Sequence, residues 1–201
     1  MGWICYVKGP AITNQSEIVN NTDIMYNYFV TQYGGSIAAF AGFLGNVCAE
    51  SGYNPGRMED PPNNFDAGLG LIQWTRYAPT ETQNPLLDWT EDMGYNWYDG
   101  DRQMWLIMEE HNVGAWRDSD TRPQYHYTWE QFMSMTDPSL AASTYMWQRE
   151  RPLSDSSEQD RREMAQFWYE YYSGQPPTPP TPTPSRRKRS IIPLICSRRF
   201  I

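Results

Sequence analysis

Residues 45–76, GNVCAESGYNPGRMEDPPNNFDAGLGLIQWTR, decide how the rest of the chain is read. Upstream of them Ser36 can cap a helix running to about Ser51. Ile37, Phe40, Ala41, Leu44 and Cys48 recur along it at helical spacing, while Phe43 and Val47 widen the apolar surface. A helix that is apolar nearly all round is a buried one. Its last turn carries Glu50, near the negative end of the helix dipole and among apolar neighbours, a setting that favours the neutral acid. Gly52 and the Asn54-Pro55-Gly56 turn then stop the helix, so this carboxyl is expected where the core meets a surface loop. Further on, Gly68, Gly70 and the alternation of Leu69, Leu71 and Gln73 against Ile72 and Trp74 predict a short strand. Its glycines would let a ligand or another backbone approach closely.

Around this centre the pattern is helical. Thr22 or Asp23 is expected to open an amphipathic run to Gln32, closed by Gly34-Gly35, and Asn84-Pro85 a short helix closed by Gly94. From Asp101 to Asn112, Met104, Trp105, Ile107 and Met108 read as a core face. Thr128 with Gln131 makes a capping box ahead of Phe132 and Met135. Asp137-Pro138 should open a helix to Arg149, and Ser154 or Asp155 one to about Tyr172. Only Asn63 to Thr75 reads as sheet, so the expected class is α+β, mostly helical, with one small β-hairpin.

With 201 residues, 39% of them hydrophobic and 15% aromatic, the chain can bury one core of ordinary size. No stretch approaches the roughly 18 apolar residues of a membrane-spanning helix. Met1 to Pro10 lacks the charged and apolar regions of a secretory signal, so delivery outside a cell is expected to use another route. Cys5, Cys48 and Cys196 are odd in number and far apart, which suits neither a disulfide framework nor a metal site; Cys48 reads as core packing. All 24 acidic residues precede Pro176, while six of the 16 basic residues follow it; the first 175 residues thus hold 10 basic against 24 acidic, a net −14. So acidic a body is a poor nucleic-acid binder.

The order of the motifs resembles the active-site layout of the lysozyme superfamily, and in particular the tail-associated lysozyme domain of bacteriophages, which includes tail-knob peptidoglycan-degrading proteins. The matching elements are Glu50-Ser51, the Asn54-Pro55-Gly56 turn and the Gly-x-Gly-x-x-Gln-Trp run from Gly68 to Trp74. A fourth is Tyr145 to Pro152, similar to that family's aromatic-x-x-x-x-Glu-Arg-Pro, although Arg149 stands where an aromatic often precedes Glu-Arg-Pro. The resemblance covers roughly residues 22–173. It implies a lysozyme-like fold with the hairpin beside an active-site cleft, and cleavage of peptidoglycan between N-acetylmuramic acid and N-acetylglucosamine with Glu50 as general acid. It implies no cofactor and no metal. It also implies a setting in the phage tail, or in the host cytoplasm before release as an endolysin, with phage tail proteins as partners.

Saccharides are held by stacking on aromatic rings and by side-chain hydrogen bonds. Gln73, Trp74, Tyr53, Tyr77 and Ser51 are therefore the expected substrate contacts, although most of the nine tryptophans and fourteen tyrosines should be packing residues. A retaining glycosidase needs a second carboxylate about 5–5.5 Å away and an inverting one about 6.5–9.5 Å away. Glu59, Asp60 and Asp66 are the candidates. Asp66, two residues before Gly68, is preferred. A lytic transglycosylase would need no second carboxylate, because the substrate's own hydroxyl attacks and an anhydro sugar results.

Two other classes fit less well. A cysteine peptidase or amidase would want a thiolate at a helix N-terminus with a histidine partner, whereas Cys48 sits near a helix C-terminus and His111 and His126 lie in polar surroundings. A non-catalytic glycan-binding or structural tail module would be expected to lose Glu50.

The expected segments are an N-terminal extension (1–21), the catalytic domain (22–175), a Pro/Thr linker (176–184) and a basic, apolar tail (185–201). PPTPPTPTP as polyproline II would span about 28 Å at roughly 3.1 Å per residue. Residues 186–201 combine arginines and a lysine with Ile191, Ile192, Leu194, Ile195 and Phe200, a composition that could dock on an anionic envelope or membrane. The alternative is a tail whose charge offsets the acidic body or touches another subunit.

Overall fold

The computed structural model describes residues 2–59, 68–75, 84–117, 122–152 and 154–174. Seven α-helices are present among them: α1 Gln15–Tyr26, α2 Ile37–Ser51, α3 Pro85–Asp92, α4 Gly100–Glu109, α5 Trp129–Met133, α6 Pro138–Tyr145 and α7 Glu158–Tyr172. Two π-helical turns continue α1 and α6, at Asn27–Gln32 and Met146–Glu150, and a 3-10 turn, Glu110–Val113, follows α4. None of the described helices is long and apolar enough to cross a membrane.

The expected β-hairpin does not form, and the α+β class is corrected to helical: the described residues hold no strand, only the isolated bridges Met58 to Leu69 and Leu69 to Trp74. The reason is local. Gly70 has φ +75° and Gln73 φ +51°, so the backbone leaves the extended region twice within six residues. Leu69, Leu71, Ile72 and Trp74 are all buried, and an alternation in which both sets are buried marks a compact turn as readily as a strand.

Helix starts follow the capping chemistry. Ser36 Oγ accepts from the Ala39 amide at 3.0 Å to open α2, Asn84 and Asp137 cap α3 and α6 with proline at the next position, and the Thr128–Gln131 capping box is complete. Three boundaries move. α1 begins at Gln15, capped by Asn14, because Thr22 sits inside it with its hydroxyl donating to the Val19 carbonyl at 3.1 Å. α4 is capped by Asp99, and α7 begins at Glu158. Trp105 is also corrected: it is 40% exposed and stacks on Trp89 with ring centroids 5.2 Å apart, while Met104, Ile107 and Met108 form the core face.

The chain divides into two compact units, Met1–Tyr28 with Glu50–Val113, and Phe29–Ala49 with Gly114–Ile201. In the second unit, α2 packs on α6 and α7 through its small residues. A Cβ on Gly42 would lie 2.6 Å from the Ala141 Cβ and the Ala142 nitrogen, and one on Gly45 would lie 2.3 Å from the Arg161 carbonyl oxygen. Asn46, fully buried, donates to the Ala142 carbonyl at 3.0 Å and accepts from Arg161 Nη1 at 2.6 Å. Phe29, Phe43 and Tyr145 complete the core, with centroids 5.4 Å apart for Phe29–Phe43 and 5.5 Å for Phe43–Tyr145.

In the first unit, the N-terminal segment is stitched to the turn after α2. Asn21 Oδ1 accepts from the Ile4 amide at 2.9 Å, and its Nδ2 donates to the Ile4 and Tyr53 carbonyls. The Lys8 amide donates to the Gly56 carbonyl at 2.8 Å and the Ile12 amide to Gly52 at 3.1 Å. Around these bonds Ile12, Ile18, Met25, Met58, Leu71 and Met104 bury their side chains, each contributing roughly 1.5–3 kcal/mol of transfer free energy.

Candidate functional site

Glu50 lies half-buried on the last turn of α2, one residue before the helix ends at the buried Ser51. The chain then turns sharply because Gly52 (φ +57°) and Tyr53 (φ +64°) are both left-handed. Only the first of these is a glycine, and a Cβ there would meet the Ala11 Cβ at 2.3 Å. The strain at Tyr53 is offset by its burial and by the Asn21 bond to its carbonyl. Asn54 next folds its amide back on the loop, accepting from the Gly56 amide at 2.9 Å and donating to the Pro10 carbonyl at 2.8 Å.

The Gly-rich run docks on the far end of that turn. Glu59 and Gly68 bond reciprocally: the Glu59 amide donates to the Gly68 carbonyl at 2.9 Å, and the Gly68 amide donates to Glu59 Oε2 at 3.2 Å. The Gly70 amide reaches the Arg57 carbonyl at 2.9 Å. Leu69 and Trp74 close the mouth of the turn with two backbone bonds of 3.1 and 2.9 Å. At its tip Gln73, half-buried, donates its Nε2 to the Gly70 carbonyl at 2.8 Å and to Arg57 at 3.5 Å, with its side chain lying over Gly68. A Cβ on Gly68 would sit 2.7 Å from Gln73 Oε1, so glycine is what admits that side chain. Both bonds use the amide nitrogen.

The structure thus brings Glu50, Ser51, Tyr53, Gln73 and Trp74 into the same unit, but in different roles. Tyr53 and Trp74 are 2% and 3% exposed, so neither presents an open ring face. The Trp74 indole donates to Glu110 Oε2 at 3.1 Å and its carbonyl accepts from Asn84 Nδ2. Asp60, Asp66 and Tyr77 lie outside the described residues. Glu59 is exposed, with its carboxylate on the Gly68 amide. Glu150 belongs to the second unit, at the end of a π-helical turn that Arg151 terminates with φ +50°.

At Cys5, burial pushes the thiol up to about 11 while Sγ points at the Tyr98 carbonyl, 3.8 Å away. Such a thiol is a poor nucleophile near neutral pH.

Three buried polar residues hold this region, Gln103, Glu110 and Asn84, of which the sequence singled out only Asn84. Their partners are distant in sequence, 32 residues from Leu71 to Gln103 and 36 from Trp74 to Glu110. Only Asn84 carried a local signal, as a helix cap before proline.

A family model described as phage tail lysozyme matches residues 20–172. Among curated proteins, Morphogenesis protein 1 of Bacillus phage B103 is 26% identical over 168 residues, which cover 82% of this chain and 42% of that protein. The chain therefore spans well under half the length of this relative.

Proposed function

Because the chain belongs to the phage tail lysozyme family, we propose that it cleaves the glycan strand of peptidoglycan between N-acetylmuramic acid and N-acetylglucosamine, with Glu50 as the general acid. The observation that carries this reading is the placement of Glu50 on the final turn of a mostly buried helix, immediately before a left-handed turn whose Arg57 carbonyl accepts from both Gly70 and Gln73. Glu50 would deliver its proton to the glycosidic oxygen as the bond breaks. Gln73 Oε1 would accept from a sugar hydroxyl, Ser51, Tyr53 and Trp74 would support the two turns from within, and Tyr77 would supply a stacking face. Asp66 would be the second carboxylate, assisting water.

One observation favours a second reading, a lytic transglycosylase giving 1,6-anhydromuramic products: the Glu59 carboxylate, the described candidate for a second acid, is engaged with the Gly68 amide. Residues 22–175 are taken as the catalytic body, with residues 1–21 as an extension, 176–184 as a spacer and 185–201 as a docking tail. The setting proposed is the virion tail, with other tail proteins as neighbours.

The test is Glu50→Gln, which keeps shape and hydrogen-bonding capacity but removes the transferable proton. General acid catalysis is typically worth about 10²–10⁴ in rate, so clearing of purified cell walls should fall at least about a hundredfold while folding and glycan binding persist. A folded variant that clears walls within tenfold of the parent removes Glu50 from the role. A parent that binds walls without clearing them points to a non-catalytic module. Mass spectrometry of the products separates the two chemistries: reducing muramic ends support hydrolysis, and ends lighter by one water support the transglycosylase and demote Asp66.

A further inference from the structure

Helix α4 and the 3-10 turn that continues it carry two buried polar side chains, Gln103 and Glu110, seven residues and therefore about two helical turns apart. Both grip the Gly68–Trp74 turn, at different points. Gln103 Oε1 accepts from the Leu71 amide at 2.8 Å, and Glu110 Oε2 accepts from the Trp74 indole at 3.1 Å. Gln103 also reaches elsewhere: its Nε2 donates to the Pro55 carbonyl at 2.8 Å, in the turn that follows Glu50, and to the Trp97 carbonyl at 2.7 Å, in the loop that precedes α4. One amide group, with no exposure to solvent, therefore ties three separate backbone segments together. Its requirements are specific. One acceptor and two donors are used, facing one N–H and two carbonyls, which suits glutamine and not glutamate. The contact is also close enough to dictate a neighbour, since a Cβ on Gly70 would lie 2.7 Å from Gln103 Oε1.

We propose that Gln103 is a positioning residue for glycan cleavage: it fixes the Gly70–Gln73 tip against the Asn54–Gly56 turn, so that the Gln73 contact to substrate is held in register with Glu50, and Glu110 anchors the same turn at Trp74. This rests on the assignment of Glu50 and Gln73 made above. A residue that served only to satisfy buried carbonyls would change stability and leave the kinetics of the folded enzyme alone. A positioning residue acts through Gln73, and its loss is therefore not additive with the loss of Gln73.

The test uses the full-length chain, soluble peptidoglycan strands and a double-mutant cycle of Gln103→Met and Gln73→Ala, with kcat and KM measured below the unfolding temperature of every variant. Gln103→Met keeps length but removes all three bonds. The expected result is a rise in KM and at least a tenfold fall in kcat/KM, with the double variant no worse than the weaker single one. Parental kinetics in folded Gln103→Met, or a double variant whose loss is the product of the two singles, overturns the proposal. If Gln103→Met does not fold, Glu110→Leu and Glu110→Gln read the same mount from its other end: Gln, which keeps an acceptor for the indole, should restore the KM that Leu loses, and equal kinetics for the two overturn the proposal. Amide hydrogen exchange in the same variants is independent of activity. Exchange of residues 53–58 and 69–75 should accelerate together, with α7 unchanged. If the parent cleaves no glycan, the functional assignment fails, and this exchange pattern alone decides whether Gln103 locks the two turns; unchanged exchange there overturns the proposal.

Discussion

Asn54 and Tyr6 exchange a pair of hydrogen bonds: Asn54 Oδ1 accepts from the Tyr6 amide at 3.0 Å while its Nδ2 donates to the Tyr6 carbonyl at 2.9 Å. The side chain imitates a paired strand, and with its further bonds to Gly56 and Pro10 it uses every polar atom it has. The segment before α1 is thereby tied to the turn after Glu50. Replacing Asn54 by Ala leaves the buried Gly56 amide and three part-buried backbone groups of Tyr6 and Pro10 without this partner and should cost about 2–4 kcal/mol in denaturant unfolding. Asp should be no better, since an oxygen would then face two carbonyls. A loss below about 0.5 kcal/mol for both would show that water replaces these bonds freely.

Gly70 and Gly94 share a left-handed backbone, φ +75° and +73°, but not their surroundings. Nothing lies within 4 Å of a Cβ built on Gly94, whereas one on Gly70 meets the Gln103 amide. Gly94→Ala should therefore cost only the conformational part, about 1 kcal/mol, and Gly70→Ala roughly 2–3 kcal/mol with a raised KM. Equal losses in thermal unfolding would mean that Gln103 moves aside without penalty.

In the second unit, Glu158 receives Tyr125 Oη at 2.8 Å, Ser143 Oγ at 2.7 Å and Arg162 Nη2 at 2.6 Å on one oxygen, and Trp147 Nε1 at 3.2 Å on the other. Burial by itself would raise its pKa. The Ser143, Tyr125 and Trp147 bonds and the Arg162 charge outweigh that and hold the carboxyl below the ordinary glutamate value. A depressed folded-state pKa means stability that is fully present above the unfolded value near 4.5 and is lost as pH falls through the folded one. The melting-temperature gap between the parent and Glu158→Gln should thus be widest near neutrality and shrink below about pH 4. A gap independent of pH from 7 to 3 contradicts it.

The charge reversal after Pro176 motivates a truncation. Removing everything after Gln175 takes away six basic residues and no acidic ones, leaving a net −14. Hydrolysis of purified soluble peptidoglycan should stay within a few-fold, while sedimentation with anionic vesicles should drop. Loss of hydrolysis would place the tail within the catalytic body.

What the sequence disclosed was local chemistry. The caps at Ser36, Asn84, Thr128 and Asp137 and the abrupt stop at Gly52 are governed by residues within a turn of one another, and they were readable. Residues 68–74 misled because a period of two does not distinguish a strand from a turn buried on both faces. Trp105 misled because helical spacing says which residues share a face, not that a stacked neighbour such as Trp89 waits outside the core. The start of α1 was missed because its first turn, Gln15-Ser16-Glu17, is polar. Glu50 was legible as a helix-end carboxylate, but Gln103 and Glu110 were not, since a buried amide or carboxylate is defined by partners more than thirty residues away.

Gly42 and Gly45 leave α2 in direct backbone contact with α6 and α7, and Glu50 lies on the last turn of that same helix. Heritable variation should therefore spread unevenly along it. Under selection for wall lysis, a library randomised over residues 37–51 should return glycine at 42 and 45 as strictly as glutamate at 50, although both glycines are buried. Drift is expected to collect at half-buried positions such as Ile37 and Cys48 instead. A lineage that enlarges Gly42 would have to move α6, and one that enlarges Gly45 would have to move α7, before the second unit could pack again.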